Sequence, residues 1–186
     1  MGVKGPGRLR IEGGEDRGRR LTAPAGIRPT QGMVKQAIFN LLGVRVLEAQ
    51  VLDLFSGSGA LGIEALSRGA AGATFVESSE AAVAAIRVNL AAVGYLDRAR
   101  VVRGDAVWWV RGHPVEVARH KLVLLDPPYA DPVLETALAA LDAVVAVGTL
   151  VVAERASASP VPALARLTVD RDRRYGGSSV TILVAH

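Results

Sequence analysis

The run Asp126-Pro127-Pro128-Tyr129 is the part of this chain whose residue types most directly imply chemistry. It follows Lys121-Leu122-Val123-Leu124-Leu125, which reads as a buried strand. Each proline fixes φ and lacks an N–H, so the strand exit becomes a rigid rim whose nearby carbonyls stay open to donors. Such a rim suits a flat ring bearing an amino group. The Asp126 carboxylate and the Pro127 carbonyl accept the two amine hydrogens, Pro128 holds the turn, and Tyr129 stacks on the ring, a contact worth roughly 1–3 kcal/mol per base.

A second motif, Val51-Leu52-Asp53-Leu54-Phe55-Ser56-Gly57-Ser58-Gly59-Ala60-Leu61-Gly62, runs from an apolar strand into a glycine turn. Ile63-Glu64-Ala65-Leu66-Ser67 continues it as a helix that Gly69 ends. Gly57 and Gly59 let the backbone come close to a ligand and leave N–H groups at the helix start facing it. Gly57, Gly59 and Gly62 also spell the dinucleotide fingerprint, with Glu77 where a ribose-binding acid falls, so a nicotinamide-dependent oxidoreductase is one reading. Asp53 tilts the balance away from it: an acid just before the glycines repels a pyrophosphate but holds the ammonium of an amino-acid moiety.

The next strand ends carry acids too. Ala73-Thr74-Phe75-Val76 leads to Glu77, an acceptor for both ribose hydroxyls; Arg100-Val101-Val102-Arg103 leads to Gly104-Asp105-Ala106, where Asp105 takes the exocyclic amine of an adenine or, alternatively, caps a helix. In an open parallel sheet ligands bind beyond the carboxyl ends of the strands, so Asp53, Glu77, Asp105 and Asp126 are expected to converge on one crevice.

The elements that must position these residues follow a doubly wound α/β pattern. Strand-like runs at 50–55, 72–76, 100–103, 121–125, 148–153, 164–170 and 178–184 alternate, through the fifth, with helical patterns at about 59–69, 80–94 and 132–146. The last two runs, joined through the charged stretch Asp170 to Ser178, are expected to form an antiparallel hairpin that closes the sheet; residues 155–163 read as loop.

At 186 residues and 50% hydrophobic composition, the chain is expected to build one sizeable core. It contains no cysteine, and His113, His120 and His186 are scattered without metal-ligand or triad spacing, so no metal is expected. The opening residues lack the apolar stretch of a signal peptide and no run is long enough to span a membrane, so the expected location is cytoplasmic. Charge is uneven: residues 1–35 hold eight bases against three acids, +5, while the remainder, with fourteen and fifteen, carries −1. Arg8 to Glu12 and Arg19 to Thr22 read as two strands of a basic hairpin projecting from the core, with Arg8, Arg10, Arg17, Arg19 and Arg20 as an arm on RNA phosphates. Arg171, Arg173 and Arg174 beside Tyr175 are either a further RNA surface or a solvated hairpin face. Of Trp108 and Trp109, one ring is expected to pack on the sheet.

The order of glycine loop, ribose acid, adenine acid and Asp-Pro-Pro-Tyr resembles that of S-adenosylmethionine-dependent methyltransferases acting on exocyclic amines of nucleobases. Arg10-Ile11, Gly18-Arg19-Arg20-Leu21, Ile27-Arg28-Pro29-Thr30, Val34-Lys35-Gln36-Ala37-Ile38-Phe39-Asn40-Leu41-Leu42 and the stretch Leu52 to Ala70 narrow the resemblance to the RsmD family, bacterial guanine-N2 methyltransferases of 16S ribosomal RNA. Where that family usually continues with an arginine and a glutamate after the Arg-Pro-Thr run, this chain has Gln31-Gly32-Met33 and Lys35-Gln36.

The resemblance implies a Rossmann-like class I methyltransferase fold with seven strands, mostly parallel, an antiparallel last strand and an N-terminal β-hairpin. It implies an extension over 1–35 that contacts RNA and a cofactor-binding domain over 36–186. S-Adenosyl-L-methionine is the implied cofactor, held by Arg28, Thr30, Asp53, Ser56, Gly57, Gly59, Glu77, Ser78, Asp105 and Ala106. Asp126, Pro127, Pro128 and Tyr129 are the implied catalytic set, aligning a flipped-out guanine amine for in-line methyl transfer. The implied partner is 16S ribosomal RNA or the assembling small subunit, met by a monomer. A methyltransferase of another nucleobase amine, such as adenine in RNA or DNA, shares the Asp-Pro-Pro-Tyr rim. A non-catalytic RNA-binding protein has no reason to carry both the rim and the glycine loop.

Overall fold

Runs rich in valine and leucine form central strands buried on both faces, more polar strands take the two edges, and the chain folds around a seven-stranded sheet. The structure, a computed structural model, describes residues 9–24, 32–128 and 133–186. The strands are β1 (Gln50–Leu54), β2 (Gly72–Glu77), β3 (Ala99–Arg103), β4 (Leu122–Leu125), β5 (Leu150–Ala156), β6 (Leu167–Tyr175) and β7 (Ser178–Ala185). The helices are α1 (Gly32–Leu42), α2 (Ala60–Ser67), α3 (Glu80–Val93), α4 (Ala106–Gly112), α5 (Pro114–Val117) and α6 (Val133–Val144). Strand order is β3-β2-β1-β4-β5-β7-β6; β7 runs antiparallel to both its neighbours and the other pairings are parallel. This is the expected α/β Rossmann-like methyltransferase sheet.

Strand pleating separates the two cores. Val51, Phe75, Leu124, Val152 and Ile182 face the layer of α1, α2 and α3, where Ile38, Phe39, Ile63, Leu66, Ile86 and Leu90 pack. Leu52, Leu54, Val76, Val123, Leu125 and Leu183 face the layer of α4, α5 and α6, with Val110, Val117, Leu138 and Leu141. Asp53 lies between Leu52 and Leu54 and so shares the first face.

The N-terminal hairpin forms, with Arg10 bridging to Arg20 and the Ile11 and Leu21 N–H groups donating to Arg19 and Leu9 carbonyls. It does not project. Leu9, Ile11 and Leu21 alternate inward and join the α1–α3 core. Its turn is bolted to the far end of α2: the Glu15 N–H donates to the Ser67 carbonyl at 2.8 Å, the Asp16 N–H to Ser67 Oγ at 3.1 Å, and the Tyr95 hydroxyl to both Glu15 and Asp16. Gly14, at φ +82°, sits where any Cβ would meet the Ser67 carbonyl oxygen at 1.9 Å. The two acids therefore shape and dock the turn.

The last hairpin also differs from the pattern read in the sequence. Strand β6 is Leu167–Tyr175 and not 164–170, and the charged stretch is an edge strand exposed along most of its length; only Gly176 and Gly177 make the turn. Asp142 on α6 sets its start by accepting the N–H groups of Ala165, Arg166 and Leu167 at 2.7–2.9 Å. Charged residues there block edge-to-edge pairing, which is why a strand can look like a loop. Among the described residues no helix is long and apolar enough to cross a membrane.

Candidate active site

The strand order β3-β2-β1-β4 places Asp105, Glu77, Asp53 and Asp126, in that spatial order, at the carboxyl ends of four neighbouring strands. Between β1 and α2 the chain turns through Phe55 at φ +58°, Gly57 at +54° and Gly59 at +78°. A left-handed phenylalanine costs roughly 1–2 kcal/mol. The turn is held by Ser56, whose Oγ donates to the Asp53 carbonyl at 2.6 Å and whose N–H donates to the Val76 carbonyl at 3.3 Å. The strained residue was invisible in the sequence because phenylalanine carries no turn signal.

Asp53 is fully buried beneath this loop, and its Oδ2 accepts the Gly62 N–H at 2.9 Å. Burial pushes its carboxyl well above the usual carboxylate range; the Gly62 bond draws it back, and the charges of Asp126 and Glu77 push it up again. Glu77 Oε2 accepts the Gly57 N–H at 2.8 Å and Oε1 the Ser79 N–H at 2.8 Å, with Ser78 Oγ at 3.4 Å. Neither Asp53 nor Glu77 has an ion-pair partner among the described residues. The third glycine, Gly62, serves packing: a Cβ there would meet Phe75 Cε1 at 2.3 Å.

Asp105 is exposed and is the N-cap of α4, its Oδ1 accepting the Trp108 N–H at 2.8 Å, while Ala106 is buried at the first helical position. Trp109 packs inward and stacks on His113 at 4.9 Å between centroids; Trp108 is 74% exposed. Asp126 is half-buried, Pro127 buried and Pro128 exposed. Arg8, Arg28, Thr30 and Tyr129 lie outside the described residues.

Comparison with known proteins fits this geometry. The family model described as Conserved hypothetical protein 95 matches residues 9–184. The chain belongs to this family, the RsmD family expected from its motifs. It is 42% identical over 142 residues to the ribosomal RNA small subunit methyltransferase D of Escherichia coli, covering 74% of this chain and 69% of that protein. The protein of the same name from Haemophilus influenzae is 34% identical over 138 residues, 73% of this chain and 71% of its own length. The solved Escherichia coli protein yhhF superposes with a TM-score of 0.84 at 33% identity, covering 97% of this chain and 99% of that one.

Within this family member, two buried polar constellations escaped the sequence reading. Lys35, counted there only in the net charge of residues 1–35, is fully buried: its Nζ lies 3.1 Å from Glu64 Oε2 and donates to the Arg10 carbonyl. Glu64, equally buried, also accepts Arg68 Nε at 2.8 Å and the Glu12 N–H at 2.8 Å. Asn89 on α3 clamps Thr22 through both its N–H, at 2.7 Å, and its carbonyl, at 2.9 Å, and donates to the Ser58 carbonyl at 2.9 Å. The chain leading out of the hairpin is thus tied to the glycine loop. The signal was present: Lys35, Glu64 and Asn89 each occupy an inward position in an otherwise apolar helical face.

Of the arm arginines, Arg10 and Arg20 are exposed at the bridge. Arg17 and Arg19 lie near the docked turn, beside Tyr95 and Arg98 at the entry to β3, hence toward the opposite end of the sheet from the acids. Arg19 pairs with Asp16 at 2.8 Å and caps the Ala92 carbonyl.

Proposed function

We propose that the chain transfers a methyl group from S-adenosyl-L-methionine to the 2-amino group of a guanine in small-subunit ribosomal RNA. The observation that carries this reading is the set of mutually repelling carboxylates around the glycine loop, with Asp53 buried and no cation beside it among the described residues. A ligand bearing an ammonium and a sulfonium relieves that repulsion. A pyrophosphate does not, and the two N–H groups it would seek, on Gly57 and Gly62, are already taken by Glu77 and Asp53. The oxidoreductase reading therefore has no support in the geometry. The names of the relatives, ribosomal RNA small subunit methyltransferases, point to the same substrate class.

When bound, S-adenosylmethionine supplies an electrophilic methyl group. Asp53 takes the ammonium of its amino-acid part, the Ser56, Gly57 and Gly59 loop lies against it, Glu77 with Ser78 takes the ribose hydroxyls, and Asp105 with Ala106 receives the adenine. Arg28 and Thr30 complete that set in this reading. Asp126 and the Pro127 carbonyl accept the two hydrogens of the guanine amine, which directs its lone pair outward; Pro128 fixes the rim, and Tyr129 replaces stacking lost when the base leaves its helix. Asp126 then takes the proton that the methylated amine gives up. The exposed Arg10 and Arg20, with Arg8, Arg17 and Arg19, supply phosphate contacts.

The test is incubation of the protein and labelled S-adenosylmethionine with small-subunit ribosomal RNA from cells lacking the gene, followed by nuclease digestion and mass analysis. N2-methylguanosine at a single position is the expected product. Methyl on adenine, or none on RNA, overturns the assignment.

A further inference from the structure

The basic arm read from the sequence is docked with its tip toward the wrong end of the sheet to grip RNA close to Asp126. A second basic surface lies at the right end. Strand β7 is antiparallel to β5, so the β6–β7 turn rises on the side where β1 to β5 end: Ala156 pairs with Ser178, and Ser178 with Tyr175. The turn is fixed to the end of β5, since the Ser157 N–H donates to the Gly177 carbonyl at 2.9 Å and Ser157 Oγ to the Gly176 carbonyl at 3.1 Å.

Register places one residue of this surface level with the catalytic rim. Arg173 pairs with Val180 and Val180 with Glu154, which form one row; Asp126 follows the last β4–β5 pair, Leu125 with Ala153, as Glu154 does on β5, and so lies level with that row just past the end of β4. Three strand spacings separate Arg173 from Asp126, about 14 Å. Arg173 and Arg174 are exposed and form no ion pair among the described residues; they donate to the Asp172 and Ser157 carbonyls at 3.0 and 3.5 Å. The two acids of the strand are already committed, Asp170 to Arg45 and Arg171, and Asp172 to the buried Arg155 and to Thr181. Two uncompensated guanidinium groups therefore stand on a rigid hairpin beside the rim.

We propose that Arg173 and Arg174 form a second phosphate-binding surface, gripping the RNA backbone next to the nucleotide that enters at Asp126. The proposal rests on RNA being the substrate. Edge protection alone does not account for the arrangement, because Asp170, Arg171 and Asp172 already charge the edge. A planar guanidinium suits a phosphodiester, and an extruded base needs its flanking backbone held.

The experiment measures binding of a small-subunit ribosomal RNA fragment by fluorescence anisotropy across a salt series, with methyl-transfer rates in parallel, for the wild-type chain, R173A/R174A and R173K/R174K. Each lost phosphate contact should lower the slope of log K against log salt by roughly 0.7–0.9, so the alanine pair is expected to lose about 1.5 in slope and at least about tenfold in affinity at low salt. Its S-adenosylmethionine affinity should match the wild type, and the lysine pair should keep most of the slope. An alanine pair with wild-type RNA affinity and slope overturns this surface while the substrate reading stands. A wild-type chain that methylates no RNA overturns the substrate reading, and this proposal with it.

Discussion

Replacing Gly62 by alanine sets two effects against each other with opposite signs. Gly62 lies inside α2, where alanine is intrinsically better by about 0.8–1.0 kcal/mol. A methyl group there would lie 2.3 Å from Phe75 Cε1, 2.8 Å from its Cζ and 2.9 Å from Asp53 Oδ2. Carbon contacts prefer about 3.5–4.0 Å, so something must retreat by more than about 1 Å. Phe75 is fully buried in β2 and Asp53 in β1, both held by ladder bonds on each side. The element free to retreat is α2, and it carries Gly57 and Gly59 with it. Overpacking of this kind costs about 1–3 kcal/mol net, which lowers Tm by roughly 2–12 °C in a domain of this size. The donor should bind at least about tenfold more weakly, about 1.4 kcal/mol, because the displaced loop is the one proposed to hold it. Thermal denaturation and titration calorimetry with S-adenosylmethionine measure the two effects. Adding Phe75→Leu to the alanine variant should recover about 1 kcal/mol relative to additivity. A Gly62→Ala protein that melts at or above the wild-type temperature and binds the donor normally would refute the close-packing argument.

Four other outcomes follow from the same structure. Asp126→Ala should reduce methyl transfer by at least about a hundredfold, the lower range for losing a group aligned on the reacting atoms, with S-adenosylmethionine affinity retained; rates and calorimetry on one sample separate the two. Asp53 has a raised pKa, so a cationic ligand binds its ionised form and releases a proton: donor affinity should rise with pH above the usual carboxylate range, and Asp53→Asn should flatten that dependence and weaken binding. Lys35→Met leaves the buried Glu64 carboxylate with Arg68 and the Glu12 N–H alone, and should cost about 3 kcal/mol, roughly 6–12 °C in Tm; an unchanged Tm contradicts the ion-pair assignment. Burial depresses the pKa of His120, outweighing the hydrogen bond to the Glu116 carbonyl that favours its charged form; its other ring nitrogen faces the Thr74 hydroxyl. The unfolded chain therefore binds its proton first, and stability should fall as pH drops below about 6.5, a slope that His120→Gln reduces in denaturant titrations at several pH values.

The parallel sheet was legible because its central strands are built on short apolar runs, such as Leu122–Leu125 and Ala73–Val76, each followed by an acid. The placement of Asp53, Glu77, Asp105 and Asp126 at the carboxyl ends of neighbouring strands needed only the strand pattern and the parallel-sheet rule. Local patterning failed where a residue's partner is distant in sequence. Lys35 and Arg10 look alike as members of a basic run, yet one is buried against Glu64 and the other is exposed. That the hairpin docks instead of projecting was not legible locally, because Ser67 and Tyr95, which hold Glu15 and Asp16, arrive from the end of α2 and from beyond α3. The Asp170 to Arg174 stretch read as a turn because an edge strand lacks the apolar alternation that a buried strand requires. Gly62 was read as part of a ligand motif, although its side of the helix faces Phe75.

A crystal structure with S-adenosylhomocysteine and a guanine-containing oligonucleotide would locate donor and acceptor in one experiment. The amino-acid end should lie over Asp53, the ribose on Glu77 and the adenine beside Asp105, with the sulfur and the guanine amine facing each other across Asp126 and Pro127. A ligand seated elsewhere on the sheet, or a sulfur turned away from the proline pair, would contradict that arrangement.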